Sequence, residues 1–179
     1  WGRHGVPCSE KTLGTSSVPP AGEDGVISEG SQEIMRTLIR EDLEAARDRL
    51  ESLTAPQRLA WAVEHCGDGF ALTTSFGIQS SVLLHMLSRL PTGHSVPVIW
   101  VDTGYLPPET YQYSEQLIEL FDVRLVVAQS SISPARMEAL HGRLWETGDV
   151  VDLETYHRIR KVEPLEQAMA DHGVTCWAS

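Results

Sequence analysis

Three stretches of the chain combine residue types that could hold an anion or a nucleotide. The first is Ser75-Phe76-Gly77-Ile78-Gln79-Ser80-Ser81, where an apolar run gives way to hydroxyls and a glycine, then to a helical apolar pattern. A helix starting there offers N–H groups with no intrahelical partner and the positive end of its dipole. Ser75, Ser80 and Ser81 add hydroxyl donors. Gly77 is expected to make the turn tight and to let a ligand approach the backbone. The combination suits a phosphate or sulfate; a hydroxyl-rich helix cap with no ligand is the other reading. No G-x-x-x-x-G-K-[ST] pattern occurs, so this is not a Walker loop.

The second stretch is Asp102-Thr103-Gly104, directly after the apolar VIWV. A carboxylate at the end of a buried strand can accept from ribose hydroxyls or an adenine amino group, and it can equally cap its own turn. The third stretch is cationic. His141, Arg143, His157, Arg158, Arg160 and Lys161 fall close together in a chain with only 14 Lys and Arg. Forked guanidinium groups suit phosphate and sulfate oxygens. Pairing with Glu146, Asp149, Asp152 and Glu154 is the alternative, and Gly142 to Asp149 reads as a mobile loop.

The elements that must position these residues alternate. Residues 1–30 are rich in Gly, Pro and Ser without apolar period and read as a flexible tail; residues 31–179 read as one domain. Ile34, Leu38, Leu43, Ala46 and Leu50 mark a first helix. Thr54 caps a second, with Pro56 in its first turn and Leu59, Ala62 and Val63 on its apolar face, ending near Gly67. Strands are predicted at Gly69 to Thr74, Val96 to Val101, Val123 to Ala128 and Val174 to Ala178. Helices fall between them, one carrying Ile78, Val82, Leu83, Met86, Leu87 and Leu90 as a buried face, one opened by Pro107 and Pro108, one by Ser133-Pro134 and one by Pro164. This alternation predicts an α/β fold, a parallel sheet flanked by helices. In such sheets ligands sit beyond the carboxyl ends of the strands, where the first two stretches fall.

Composition narrows the function class. The apolar fraction of 41% and charged fraction of 22% fit a soluble globular protein, and no apolar run reaches the roughly 18 residues of a membrane span. A formal charge of −11 argues against a nucleic-acid or anionic-membrane surface, and predicts that any anion site is locally basic against an acidic background. The N-terminus lacks the order of a secretory signal. Cys8, Cys66 and Cys176 are scattered and form no metal-type spacing, as in a reduced cytosolic protein. Cys66 falls at a helix end that raises a thiol pKa, and Cys176 in a strand as a small hydrophobe. Trp61, Trp100 and Trp145 are expected in or near the core.

Four stretches, TTSFGIQSSVLLHML, VIWVDTGYLPPETY, HGRLWETG and RKVEPLEQAM, resemble the phosphoadenylyl-sulfate (PAPS) reductase family in order and separation. The resemblance covers most of Leu59 to Ala178. It implies an adenine-nucleotide α-hydrolase-like fold with a modified pyrophosphate (PP) loop. It also implies the thiol-dependent reduction of PAPS to sulfite and adenosine 3′,5′-bisphosphate in sulfate assimilation. In that reaction a cysteine thiolate takes the sulfonate, and reduced thioredoxin or glutaredoxin releases sulfite, with no flavin or haem. Carried over, Ser75, Gly77, Gln79 and Ser80 belong to the anion loop, Asp102, Thr103 and Gly104 line the nucleotide, and Arg143 and Lys161 neutralise charge. Phe76, Ile78, Ser81, Arg158 and Arg160 complete the expected substrate-binding set.

Sister enzymes acting on adenylyl sulfate carry an iron–sulfur cluster on paired cysteines where this chain has Tyr156 and His157. No cluster is therefore expected, nor another metal. The family's nucleophilic cysteine is expected beyond Ser179, which reads as a truncated chain, inactive as it stands. Beginning at Trp1, the chain reads as a fragment or a processed form. A cytoplasmic location and a homodimer are implied by the resemblance. The alternatives are an adenylyl-sulfate reductase without the cluster, an ATP-pyrophosphatase-type adenylating enzyme of the same fold, and a binding module that is not an enzyme. The second of these usually shows S-G-G-x-D-S, where this chain has Ser75-Phe76-Gly77-Ile78-Gln79-Ser80 without an acid.

Overall fold

The structure, a computed structural model, describes residues 43–179. The expectations for residues 1–30, for Cys8 and for the start of the first helix lie outside the described residues. Residues Asp48–Ser179 form one compact unit. The elements of the described residues run in order α1 (helical residues 43–51), α2 (Ala55–Cys66), β1 (Phe70–Thr74), α3 (Ser80–Ser88), β2 (Pro97–Asp102), α4 (Pro108–Phe121), β3 (Arg124–Gln129), α5 (Pro134–His141), α6 (Val150–His157), a π-helical turn (Arg158–Val162), α7 (Glu163–Asp171) and β4 (Cys176–Ala178).

The four strands form one parallel sheet in the order β3-β2-β1-β4. Parallel neighbours require crossovers, and the helices supply them. Alternate strand residues face opposite layers. Phe70, Leu72, Val98 and Trp100 pack with Leu59 and Val63 of α2, Leu84 and Leu87 of α3 and Leu117 of α4. On the other face Ala71, Ile99 and Ala128 pack against Leu165, Ala168 and Met169 of α7. Burial on both faces is why VIWV reads as an unbroken apolar run.

Local signals set the element ends. Thr54 N donates to Gln57 Oε1 at 2.9 Å in a capping box, and Gly67 ends α2 at φ 51°. Ser133 Oγ accepts from Arg136 N at the start of α5.

Two expectations are corrected. Leu84 and Leu87 are the buried residues of α3, with the expected Leu83 and Met86 partly buried against the same core, whereas Ile78 (87% exposed) and Val82 are exposed. Ile78 lies in the turn before the helix. The stretch after Gly142 also differs. Gly142 to Asp149 is a short irregular turn, but α6 and the π-helical turn then run continuously into α7, where the sequence reading places no helix before Pro164. The apolar residues Val150, Val151 and Leu153 of α6 are exposed, so no core-facing periodicity betrays the helix.

Candidate functional site

The loop between β1 and α3 is built on a strained residue. Phe76 holds φ 52°, a left-handed backbone that costs a non-glycine residue about 1–2 kcal/mol. The ring offsets this by burial: it is 3% exposed and meets Trp100 edge-on at 5.0 Å. Phe76 N donates to Thr74 Oγ1 at 3.1 Å. The expectation that Gly77 makes the turn is thus corrected. Phe76 makes the turn and belongs to the core. Gly77 has ordinary backbone angles, and a Cβ there would meet only Ser75 Oγ at 3.5 Å.

This geometry presents the next three amides outward. Among the described residues, the N–H groups of Gly77, Ile78 and Gln79 donate to no protein acceptor, and the hydroxyls of Ser75 and Ser80 have no protein partner. Ser81 differs, because its hydroxyl donates to Ile78 O at 2.8 Å. Ser75, Gly77, Ile78, Gln79 and Ser80 line a cavity of about 600 Å³ together with Thr73, Met86 and Ser179. Successive unpaired amides at a helix N-terminus, beside free hydroxyls, form a neutral cradle for an anion.

At the neighbouring strand end, Asp102 is 8% exposed and fully engaged. Its Oδ1 accepts from Gly104 N at 2.8 Å and Tyr111 OH at 2.7 Å, and its Oδ2 from Gln129 Nε2 at 2.6 Å. Burial pushes this carboxyl upward, but the hydrogen bonds from Tyr111, Gly104 and Gln129 and the charge of Arg160 outweigh it and hold the pKa below the ordinary value. The capping alternative for Asp102 is therefore the one present. Thr103 Oγ1 accepts from Tyr105 N at 3.2 Å, so two side-chain turns follow each other. Gly104 needs its φ of 74°, and a Cβ there would stand 2.7 Å from Pro134 Cγ.

The cations do not form one cluster. Arg160 is 3% exposed, and its guanidinium donates to the carbonyls of Thr103 and Ile132. Arg158 Nη1 pairs with Glu163 at 2.5 Å. Arg143 pairs with Glu146 at 2.8 Å and with Glu138 at 3.6 Å, and lies over the Trp145 ring. Lys161 is exposed and has no ion pair among the described residues. Around Arg143, the rings of Tyr105, Trp145 and Tyr156 meet, and Tyr105 OH donates to Glu138 at 2.9 Å. Burial first, then Glu138, pushes the Tyr105 hydroxyl up to about 12. The cavity beside the β1 loop is lined by neither Asp102 nor any cation.

Tyr111, Gln129 and Ile132 escaped the sequence reading. Gln129 was within reach of it, because LVVAQ ends in register with VIWVD, as Asp102 opposite Gln129. Tyr111 and the Ile132 carbonyl leave no such pattern.

Among the described residues no group of three His, Cys, Asp or Glu side chains is placed to hold a metal ion. Cys66 and Cys176, scattered in sequence, meet in space. The neighbouring Cys176 thiol, together with burial, pushes the Cys66 thiol up to about 11. Neither lines the cavity. No helix among the described residues is long and apolar enough to cross a membrane.

The sequence pattern of the phosphoadenosine phosphosulfate reductase domain matches residues 69–179. The chain belongs to that reductase family. The match starts one residue before β1 and takes in the anion cradle, the Asp102 turn and the cationic segment. Similar relatives are phosphoadenosine 5′-phosphosulfate reductases of Synechocystis (46% identity, 79% of this chain) and Synechococcus (49% identity, 73% of this chain). The chain spans 56% of the length of each. Among solved structures, PAPS reductase from Candida auris in complex with phosphate superposes with a TM-score of 0.66 at 27% identity, over 76% of this chain and 65% of that one. The likeness extends over the four-stranded parallel sheet and its flanking helices.

Proposed function

We propose that this chain is the nucleotide-holding part of a thiol-dependent PAPS reductase, which reduces 3′-phosphoadenylyl sulfate to sulfite and adenosine 3′,5′-bisphosphate. The observation that carries the reading is the run of unpaired amides at Gly77, Ile78 and Gln79, flanked by the Ser75 and Ser80 hydroxyls, within residues of the reductase family. This cradle receives the phosphate–sulfate end of the substrate. Family membership and a relative determined as a phosphate complex support the same ligand class.

The roles of the remaining residues follow from their chemistry. Amides and hydroxyls orient the anion and spread its charge without a buried cation, at about 1.5–3 kcal/mol for each hydrogen bond to a charged group. Lys161, exposed and unpaired, adds charge from the rim. Arg143 reaches the ligand only by exchanging Glu146 and Glu138 for it. Neither Cys66 nor Cys176 is the nucleophile: both stand outside the cavity, and the Cys66 thiol, held near 11, yields little thiolate at neutral pH. The attacking thiolate comes from a cysteine outside the described residues, with reduced thioredoxin or glutaredoxin as electron donor, in the cytoplasm and in a homodimer.

Calorimetric titration with adenosine 3′,5′-bisphosphate and with adenosine 5′-monophosphate tests the ligand class. Binding of the bisphosphate at least tenfold tighter is expected. Equal affinities would move the reading to adenylyl sulfate, and tighter binding of ATP with magnesium to an adenylating enzyme.

A further inference from the structure

We infer that Arg160 is a positioning residue that fixes the Asp102–Gly104 turn through the peptide carbonyl of Thr103, and that it does not bind the ligand's anionic groups. The inference rests on the nucleotide reading above and deepens it, because it separates the one buried arginine at the site from the cations that meet substrate.

The argument starts from where the guanidinium spends its donors. Nε and Nη2 both donate to Thr103 O, the first at 2.8 Å, and Nη1 donates to Ile132 O. Every guanidinium nitrogen thus has a protein carbonyl. The group lies over the Tyr105 ring at 5.5 Å, so one face is covered as well. A fork with five N–H groups can span two carbonyls at once, which an ammonium on a flexible stem cannot reproduce. The two carbonyls belong to different connections: Thr103 follows β2 and Ile132 follows β3. One side chain therefore sets the spacing of two strand-end loops.

The charge is answered internally. Asp102 is the carboxylate whose pKa the Arg160 charge helps to lower, and it is itself bonded to Gly104 N. Thr103 O, between the Asp102 and Thr103 turns, is the carbonyl that Arg160 grips. Rotation of that peptide would break the grip and disturb both turns. Gly104 admits the arrangement only because it lacks a Cβ, which would stand 2.9 Å from Nη2.

The sequence delivers Arg160 by an irregularity. The five residues Arg158–Val162 form a π-helical turn between α6 and α7. Ile159 and Arg160 are buried there, while Arg158 and Lys161 remain exposed. Wide turns of this kind are frequent at functional sites, where they re-aim side chains.

The test separates positioning from anion contact by ligand charge. The full chain and its Arg160→Lys and Arg160→Gln variants are titrated with adenosine 3′,5′-bisphosphate by calorimetry and with uncharged adenosine by NMR. Positioning predicts that both ligands weaken by the same factor, about tenfold, and that lysine restores nothing. Selective loss of bisphosphate affinity, with lysine near wild type, would overturn the inference, as would unchanged affinity for both. Should the Arg160 variants fail to fold, Gly104→Ala disturbs the same grip with the guanidinium retained, and the same charge-independent loss is expected. Amide hydrogen exchange at Gly104 and Tyr105 reads the turn without any ligand and is expected to speed up at least tenfold in Arg160→Lys; unchanged exchange overturns the inference. If the wild-type chain binds neither ligand, the nucleotide reading fails, and the exchange experiment still decides the role of Arg160.

Discussion

At the scale of single residues, Asp102 is a tightly constrained side chain of the site. Three donors converge on its two oxygens, and all three suit a carboxylate, which accepts and never donates. Asp102→Asn keeps the shape but turns an acceptor into a donor facing either Gln129 Nε2 or Tyr111 OH. The expected loss is about 1–3 kcal/mol of stability, the cost of leaving a buried donor unmatched, read as a lower urea midpoint. The pH dependence has a fixed sign. Because the folded pKa is depressed, the stabilisation is present above the unfolded value of about 3.9 and is lost as pH falls through the folded value. Wild type should therefore lose stability over that acid window, and the asparagine variant should show a smaller slope there. Parallel slopes would mean that the carboxylate contributes nothing through its charge.

At the scale of elements, what was legible follows from periodicity. The strands are short apolar runs between turn residues, and α2 announces itself through Thr54, Pro56 and the Leu59–Val63 spacing. The position of the loop between β1 and α3 was equally legible, since hydroxyls and glycine interrupt the pattern just where a strand ends. Its mechanics were not. Gly77 looks like the flexible residue, yet the left-handed angle falls on Phe76, and only the tertiary contact with Trp100 explains why a bulky residue tolerates it. In the same way α6 is invisible because its apolar side chains face solvent, and Arg160 reads as a surface cation because no sequence pattern signals a π-helical turn. The loop's mechanics give a paired prediction. Phe76→Ala, losing a buried ring while keeping the strained angle, should cost about 3–5 kcal/mol in a denaturant melt. Gly77→Ala should stay within about 0.5 kcal/mol of wild type, because a methyl there meets only Ser75 Oγ at an ordinary distance. A large loss in Gly77→Ala would return the turn to the glycine.

At the scale of the whole molecule, strand order explains where the cavity lies. From β1 the chain moves outward through β2 and β3, then crosses back to place β4 on the other side of β1. β1 and β4 are therefore neighbours, and the crevice lies outside the carboxyl ends of these strands. The cavity lined by the Ser75–Ser80 loop and by Ser179, just after β4, occupies that position. On the proposed reading the anion is held there by amides and hydroxyls, within a chain whose formal charge is −11. Long-range repulsion and short-range attraction then respond differently to salt. Screening length shrinks from roughly 30 Å at 0.01 M to roughly 8 Å at 0.15 M ionic strength, which removes the repulsion of the acidic surface but leaves contacts at hydrogen-bond distance nearly intact. The association rate of adenosine 3′,5′-bisphosphate, followed by stopped-flow tryptophan fluorescence, should therefore rise severalfold over that range, with a much smaller change in dissociation rate. If association slows instead, rim cations such as Lys161 and Arg143 dominate capture, and the amide cradle serves only to orient a ligand already drawn in by charge.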